Sequence, residues 1–148
     1  MPEPTFPASL QLRLDWSELD LYGHVNNVAY FKYLQASRIH YWEQIGLASL
    51  HESEGIGPML AATHCDFRKP LHYPGHITIK ASITEMRHTS FRIAHRIFDS
   101  EGALAAEGHD VIVLFNYRKG LKEAIPQTLR TIVEALECRA FPAIHAAE

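Results

Sequence analysis

Leu10, Leu12, Leu14 and Trp16 alternate with polar residues, the two-residue period of a strand with one face buried. A lead-in, Met1 to Pro7, precedes it and holds three prolines. From Glu18 to Asn27 the periodicity stops, and Gly23 with two asparagines marks a loop. Helical spacing follows: Val28, Phe31, Leu34, Ile39, Trp42 and Ile45 recur at three- and four-residue intervals, with Tyr30, Tyr33, Ala36 and Tyr41 widening the apolar face. A helix this apolar on several sides is expected to be largely buried. Asn26 or Asn27 can cap its start, and Gly46 suits its end.

A linker is predicted from Ala48 to Pro58. Four alternating segments come next. They centre on Met59 to Phe67, Ile77 to Ile83, Phe91 to Ile97, and Val111 to Tyr117, the last starting as early as Ala103. Pro74-Gly75, Arg87 to Thr89, and Asp99 to Gly102 supply the turns. Pro126 opens a short amphipathic helix over 127–137. Strand, long helix, four strands and short helix leave no strand–helix alternation, which argues against a doubly wound parallel sheet. The expected class is α+β: an antiparallel five-stranded sheet wrapped around a long central helix.

Composition narrows the class without changing it. The chain has 148 residues, 47% hydrophobic and 21% charged, which fits one globular domain spanning 1–148 with a core over about 10–137. No apolar run approaches the ~18 residues of a membrane helix. Met1 to Ser9 lack the basic-then-apolar pattern of a signal peptide, so a cytoplasmic protein is expected, with no membrane partner. A net charge of −3 argues against a nucleic-acid binder. Cys65 and Cys138 are expected to be free thiols.

The loop before the long helix concentrates the chemistry. Trp16-Ser-Glu-Leu-Asp-Leu-Tyr-Gly-His-Val-Asn-Asn-Val-Ala-Tyr30 packs two carboxylates, a histidine and two asparagines against a helix start. That terminus presents unpaired N–H groups and a partial positive charge, which can hold a developing oxyanion. A tight loop would bring Asp20 back to it, and Gly23 permits the turn. On spacing alone a blander reading stands beside this one: Glu18 and Asp20 as loop-capping carboxylates, His24 as a surface histidine.

Asp20-Leu-Tyr-Gly-His-Val-Asn-Asn-Val-Ala-Tyr30 resembles the signature of the 4-hydroxybenzoyl-CoA thioesterase group of hotdog-fold acyl-CoA thioesterases. Phe67-Arg-Lys-Pro70, Pro74-Gly75, Thr89-Ser90-Phe91, Ala106-Glu-Gly108 with Val111 to Tyr117, and Ile125-Pro126 match further family segments in order, from Leu10 to Glu137. The resemblance implies hydrolysis of a coenzyme A thioester. It puts the catalytic carboxylate, as nucleophile or base, on Asp20, and the oxyanion donor on the Asn27 backbone N–H, with Asn26 assisting. His24 would orient the thioester or hold Asp20. Gly23, Asn26, Tyr30, Arg68, Lys69, Thr89 and Ser90 fall at substrate-binding positions. Arg87, Arg118 and Lys119 are further candidates for the coenzyme A phosphates, and Tyr30, Phe31 and Leu34 for the acyl pocket. Hotdog domains pair edge to edge, which implies a homodimer or homotetramer with sites between subunits. Two positions depart from the pattern. Glu18 stands where many members carry a first aspartate, and His76 where an acidic residue is common.

Other signals are weaker. His72 and His76 are split by Pro74-Gly75, and His64 and Cys65 point to opposite faces of a strand. No metal or other cofactor is expected. Cys65 falls on an apolar strand face and reads as core rather than nucleophile. Glu43 lies ~24 Å along the helix from Asn27, too far to serve the same site. Two alternatives remain: a hotdog dehydratase acting on 3-hydroxyacyl thioesters, which would need a His–carboxylate pair, and a non-catalytic acyl-thioester binder, which would not need Asp20.

Overall fold

A computed structural model of the chain describes residues 5–142; Met1 to Pro4 of the proline-rich lead-in lie outside them. Strand β1 (Ala8–Arg13) is followed by helix α1 (Asn27–Ile45), helix α2 (Leu47–Glu54), strands β2 (Ile56–Phe67), β3 (His76–Met86), β4 (Ser90–Phe98), β5 (Leu104–Asn116) and β6 (Leu121–Lys122), and helix α3 (Gln127–Glu137). The five long strands form one antiparallel sheet in the order β1-β3-β4-β5-β2, and β6 adds two residues beside β5. The sheet curls around α1, as the sequence pattern requires.

Several local expectations change. Trp16 is 71% exposed. β1 ends three residues earlier, and Trp16 begins a single 3-10 turn, Trp16–Glu18, whose start is capped by Asp15. The expected linker folds in part: Leu47 to Glu54 is helical between two left-handed glycines, Gly46 and Gly55. Nor is α1 buried all round. Its buried stripe runs through Ala29, Tyr30, Tyr33, Leu34, Ser37, Tyr41 and Ile45, whereas Val28 and Ile39 are 62% and 48% exposed. Those two lie 11 positions apart, on a face turned about 180° from the stripe's centre, so helical apolarity alone overstated burial.

The core falls into two apolar clusters. One gathers Tyr33, Leu34, Ile77 and Ile97 near the start of α1; the other gathers Tyr41, Ile83, Phe91 and Ile112 near its end. A buried polar group lies between them. Ser37 Oγ meets His95 Nδ1 at 2.9 Å, His95 Nε2 meets Asp110 Oδ2 at 2.7 Å, and Arg38 donates to the same oxygen at 3.1 Å. Burial pushes the Asp110 carboxyl up, but His95 and Arg38 outweigh it and hold the group below its ordinary range.

Gly108 fixes how closely α1 approaches the sheet. A Cβ there would stand 2.5 Å from the His64 carbonyl oxygen and 3.1 Å from Leu34 Cδ1, so only glycine fits. At the other end, α3 covers part of the β3 edge. β1 reaches only as far as Ala8 opposite Ala81. Beyond it, the Ile83 N–H and the Ser82 hydroxyl donate to the buried Glu137 carboxylate, as does the Tyr41 hydroxyl. β2 is the opposite edge. It runs for 12 residues with most side chains exposed, Met59, Leu60 and Phe67 among them. No described helix is long and apolar enough to cross a membrane.

Candidate functional site

The segment between β1 and α1 closes on itself. Leu19 and Val25 form an antiparallel bridge. Inside it the Asp20 N–H donates to the His24 carbonyl at 2.8 Å, and the Gly23 N–H to the Asp20 carbonyl at 3.2 Å. The turn needs a left-handed residue, and Gly23 supplies it with φ +79°. The connection from β2 back to β3 then runs beneath, where the Leu71 carbonyl accepts the Val25 N–H at 2.9 Å. Asp20 is therefore brought to the start of α1, as the spacing predicted.

The half-buried Asp20 carboxylate is held from one side. Its Oδ1 accepts the N–H groups of Tyr22 at 2.8 Å and His24 at 3.2 Å. Among the described residues Oδ2 has no hydrogen-bond partner, so one oxygen is positioned and the other is available.

The helix start is organised in the same way. Asn26 is the N-cap and its side chain accepts the Val28 N–H at 3.0 Å, while its carbonyl accepts the Ala29 N–H at 2.9 Å. The intervening Asn27 N–H takes no partner among the described residues. A bare N–H at the positive end of a 19-residue helix is a donor aimed at negative charge.

Both groups open onto one cavity of about 350 Å³. Asp20, His24, Asn27 and Tyr30 line one side; Phe67, Arg68 and Lys69 line the other. Tyr30 is 3% exposed and its ring meets that of Phe67 edge-on at 4.9 Å. Phe31 lies 6.4 Å from the same ring. Leu34 is wholly buried beneath them. Burial raises the Tyr30 hydroxyl above its ordinary pKa, so it stays protonated at neutral pH. His24 approaches Asp20 only through its backbone. Its ring faces His72, with centroids 4.9 Å apart.

Arg68 and Lys69, the two cations on this cavity, are already engaged within the chain. Lys69 Nζ pairs with Asp99 at 2.8 Å, and Arg68 lies 3.4 Å from Glu107 and 3.8 Å from Asp66. Thr89 and Ser90 are elsewhere. Ser90 pairs with Val113 in the sheet, whereas Phe67 pairs with Ala106. Seven residues of β5 separate those positions, ~23 Å at strand rise, so one chain does not bring Thr89 and Ser90 to the Asp20 cavity. Ser90 lines a second cavity of about 200 Å³ together with Glu85, Arg87 and Arg92.

Two further residues complete the site. Glu18 closes a capping box with Asp15 and accepts the Tyr33 hydroxyl at 2.8 Å, with Lys32 3.6 Å away. It ties the Asp20 loop to the second turn of α1. The Asp15-x-x-Glu18 spacing was a readable signal for the box; the contact with Tyr33, 15 residues on, was not. Cys65 packs against the apolar cluster near the helix start. Burial, with Asp66 and Asp110 nearby, pushes its thiol up to about 11, which leaves it a poor nucleophile. No group of three or more potential metal ligands forms among the described residues.

Comparison with known proteins gives the same picture. A family profile described as the thioesterase-like superfamily matches residues 14–133. A thioesterase from Thermus thermophilus, crystallised with coenzyme A and zinc, is 26% identical; the match covers 94% of this chain and 99% of that one, with a TM-score of 0.81. A gentisyl-coenzyme A thioesterase is 25% identical over 84% of this chain and 98% of its own, with a TM-score of 0.75. A Pseudomonas aeruginosa protein is 27% identical over 88% and 92%, with a TM-score of 0.78.

Proposed function

Because the chain belongs to the thioesterase-like superfamily and has the hotdog fold of its structural neighbours, we propose that it hydrolyses acyl-CoA thioesters at the Asp20 cavity. The observation that carries this reading is the pairing of an available Asp20 carboxylate oxygen with an unpartnered Asn27 N–H on one cavity. The thioester carbonyl oxygen would accept from Asn27, and the carbonyl carbon would then face Asp20. Asp20 acts either by attacking that carbon or by taking a proton from water as it attacks. Collapse expels the coenzyme A thiolate: the general-base route leaves the free acid directly, and the nucleophilic route leaves an acyl anhydride on Asp20 that a water then cleaves to the acid and the free carboxylate. In a single turnover in isotopically labelled water, label found in Asp20 identifies the nucleophilic route, because it enters by water attack on the Asp20 carbonyl of that anhydride.

The site is completed by a second copy. An edge strand of 12 residues with exposed Met59, Leu60 and Phe67 is an open pairing surface. Antiparallel pairing of β2 with its copy would carry the Thr89–Ser90 end of the partner subunit toward Asp20. Arg87, whose Nε pairs with Glu85 at 3.0 Å, and Arg92 beside that end would meet the coenzyme A phosphates, while Arg68 and Lys69 would shape the rim. His24 and Tyr30 would orient the acyl group. A homodimer, alone or doubled, is the assembly this requires. With two free thiols, the cytoplasm is the compartment that suits the protein.

Release of free thiol from a panel of alkyl- and aryl-CoA esters tests the activity. We expect at least one ester to reach a kcat/KM of about 10⁴ M⁻¹s⁻¹. No release above buffer from any ester, by folded protein, would refute it.

A further inference from the structure

A surface leads away from the Asp20 cavity between α1 and β2. On the helix, Phe31 and Arg38 are seven residues apart and so share a stripe. On the strand, Phe67, Cys65 and Thr63 share the face turned toward α1, since they pair with Ala106, Gly108 and Asp110 of β5. The stripe begins at the cavity, where Phe31 and Tyr30 meet the Phe67 ring. It is apolar through Phe31, Cys65 and the underlying Leu34. It ends at Arg38, whose side chain is 12% exposed.

Arg38 is an unusual residue for that place. Its one hydrogen bond among the described residues is from Nη1 to Asp110 Oδ2, which also serves His95. A guanidinium carries five N–H donors, so most remain for another acceptor. Asp110 Oδ1 is buried and takes no close hydrogen bond among the described residues; the Thr63 hydroxyl stands near this carboxyl and, with His95, helps hold its pKa down. An apolar stripe therefore ends at a cation with spare donors, beside a buried carboxylate.

Resting on the thioesterase reading above, we propose that the acyl chain lies along this stripe and that Arg38 selects acyl groups bearing an oxygen at their far end. Asn27 and Arg38 are 11 residues apart, ~16 Å along the helix. The arginine side chain leans back toward the helix start, which shortens the gap to the reach of a medium-length acyl chain. The oxygen would accept from Arg38; a hydroxyl could also donate to Asp110 Oδ1. A methyl end would leave those donors facing hydrocarbon, a loss of hydrogen bonding that apolar contact does not replace.

The test compares octanoyl-CoA, omega-hydroxyoctanoyl-CoA and suberoyl-CoA on the wild-type protein, Arg38→Met and Arg38→Lys, with oligomeric state and melting temperature followed on each sample. In the wild type, kcat/KM for the hydroxyl or the carboxyl ester should exceed that for octanoyl-CoA by about tenfold or more. The better of the two identifies the acceptor. Arg38→Lys should keep part of the preference and Arg38→Met should abolish it. Equal wild-type rates on all three esters would overturn the proposal while leaving the thioesterase reading intact. So would a uniform loss in Arg38→Met, which would mark Arg38 as structural support for Asp110. Failure to hydrolyse any of a wider acyl-CoA panel would overturn both.

Discussion

The Asn26 side chain caps the N–H of Val28, at 3.0 Å, and leaves that of Asn27 unpartnered. One asparagine satisfies the helix so that the next residue's backbone can serve a ligand. The arrangement separates two roles that the sequence, with its paired asparagines, left together.

Asn27→Pro isolates the backbone role. Asn27 is the first helical residue, where proline is well tolerated. Asn26 already has the extended backbone that precedes proline, φ −63° and ψ 141°. The variant should fold normally and lose about 10²–10³ in kcat. Asn27→Ala keeps the N–H and the Asn26 cap, and should stay within a few-fold of wild type. Circular dichroism and steady-state kinetics on the two variants check this; equal activities would remove the N–H from the mechanism.

Glu137 is the buried acceptor for Tyr41, Ser82 and the Ile83 N–H. Glu137→Ala strands three donors, one of them on the stretch of the β3 edge that β1 leaves unpaired. A loss of about 3 kcal/mol is expected, read as a lower urea midpoint. Turnover per folded molecule should be unchanged, since α3 is remote from the Asp20 cavity.

Acid should weaken the fold through Asp110. His95 and Arg38 hold its pKa below the unfolded value. A depressed carboxylate stabilises the fold fully above its unfolded pKa, about 3.9, and that stability is lost as pH falls through the lower folded value. Urea unfolding from pH 6 down to pH 3 should show declining stability, with a shallower decline in Asp110→Asn. Parallel curves for the two proteins would remove Asp110 from the acid response.

Edge pairing through β2 is tested with Leu60→Lys. Light scattering should give at least twice the 16.8 kDa chain mass for the wild type. It should give monomer for the variant, with activity falling alongside. A fully active wild-type monomer would contradict a shared site.

The legible part of the fold was the part with strong period. β4 alternates throughout, β3 and β5 alternate over much of their length, and Gly46 ends α1 in the left-handed conformation expected of a helix-stopping glycine. α2 was not legible, because eight residues with only Leu47 buried carry little helical signal. Val28 and Ile39 misled because apolar type does not say which side of a helix meets the sheet. Within the site, Asp20, Gly23, His24, Asn26, Asn27 and Tyr30 were readable because they lie within 11 consecutive residues. Glu18 was readable as a loop-capping carboxylate, which its capping box with Asp15 bears out; its contact with Tyr33 and the role of Arg38 beside Asp110 were not, since folding brings those partners together.

The most direct measurement is kcat of Asp20→Asn on the best acyl-CoA, with melting temperature taken on the same sample. The amide preserves size and can still accept from Tyr22 and His24, but it can neither attack a thioester as a carboxylate does nor take a proton from water. The account predicts a fall of at least ~10²-fold in kcat, with melting temperature and ligand affinity close to wild type. Near-wild-type kcat from a destabilised protein would contradict it and leave Asp20 as a loop-capping residue.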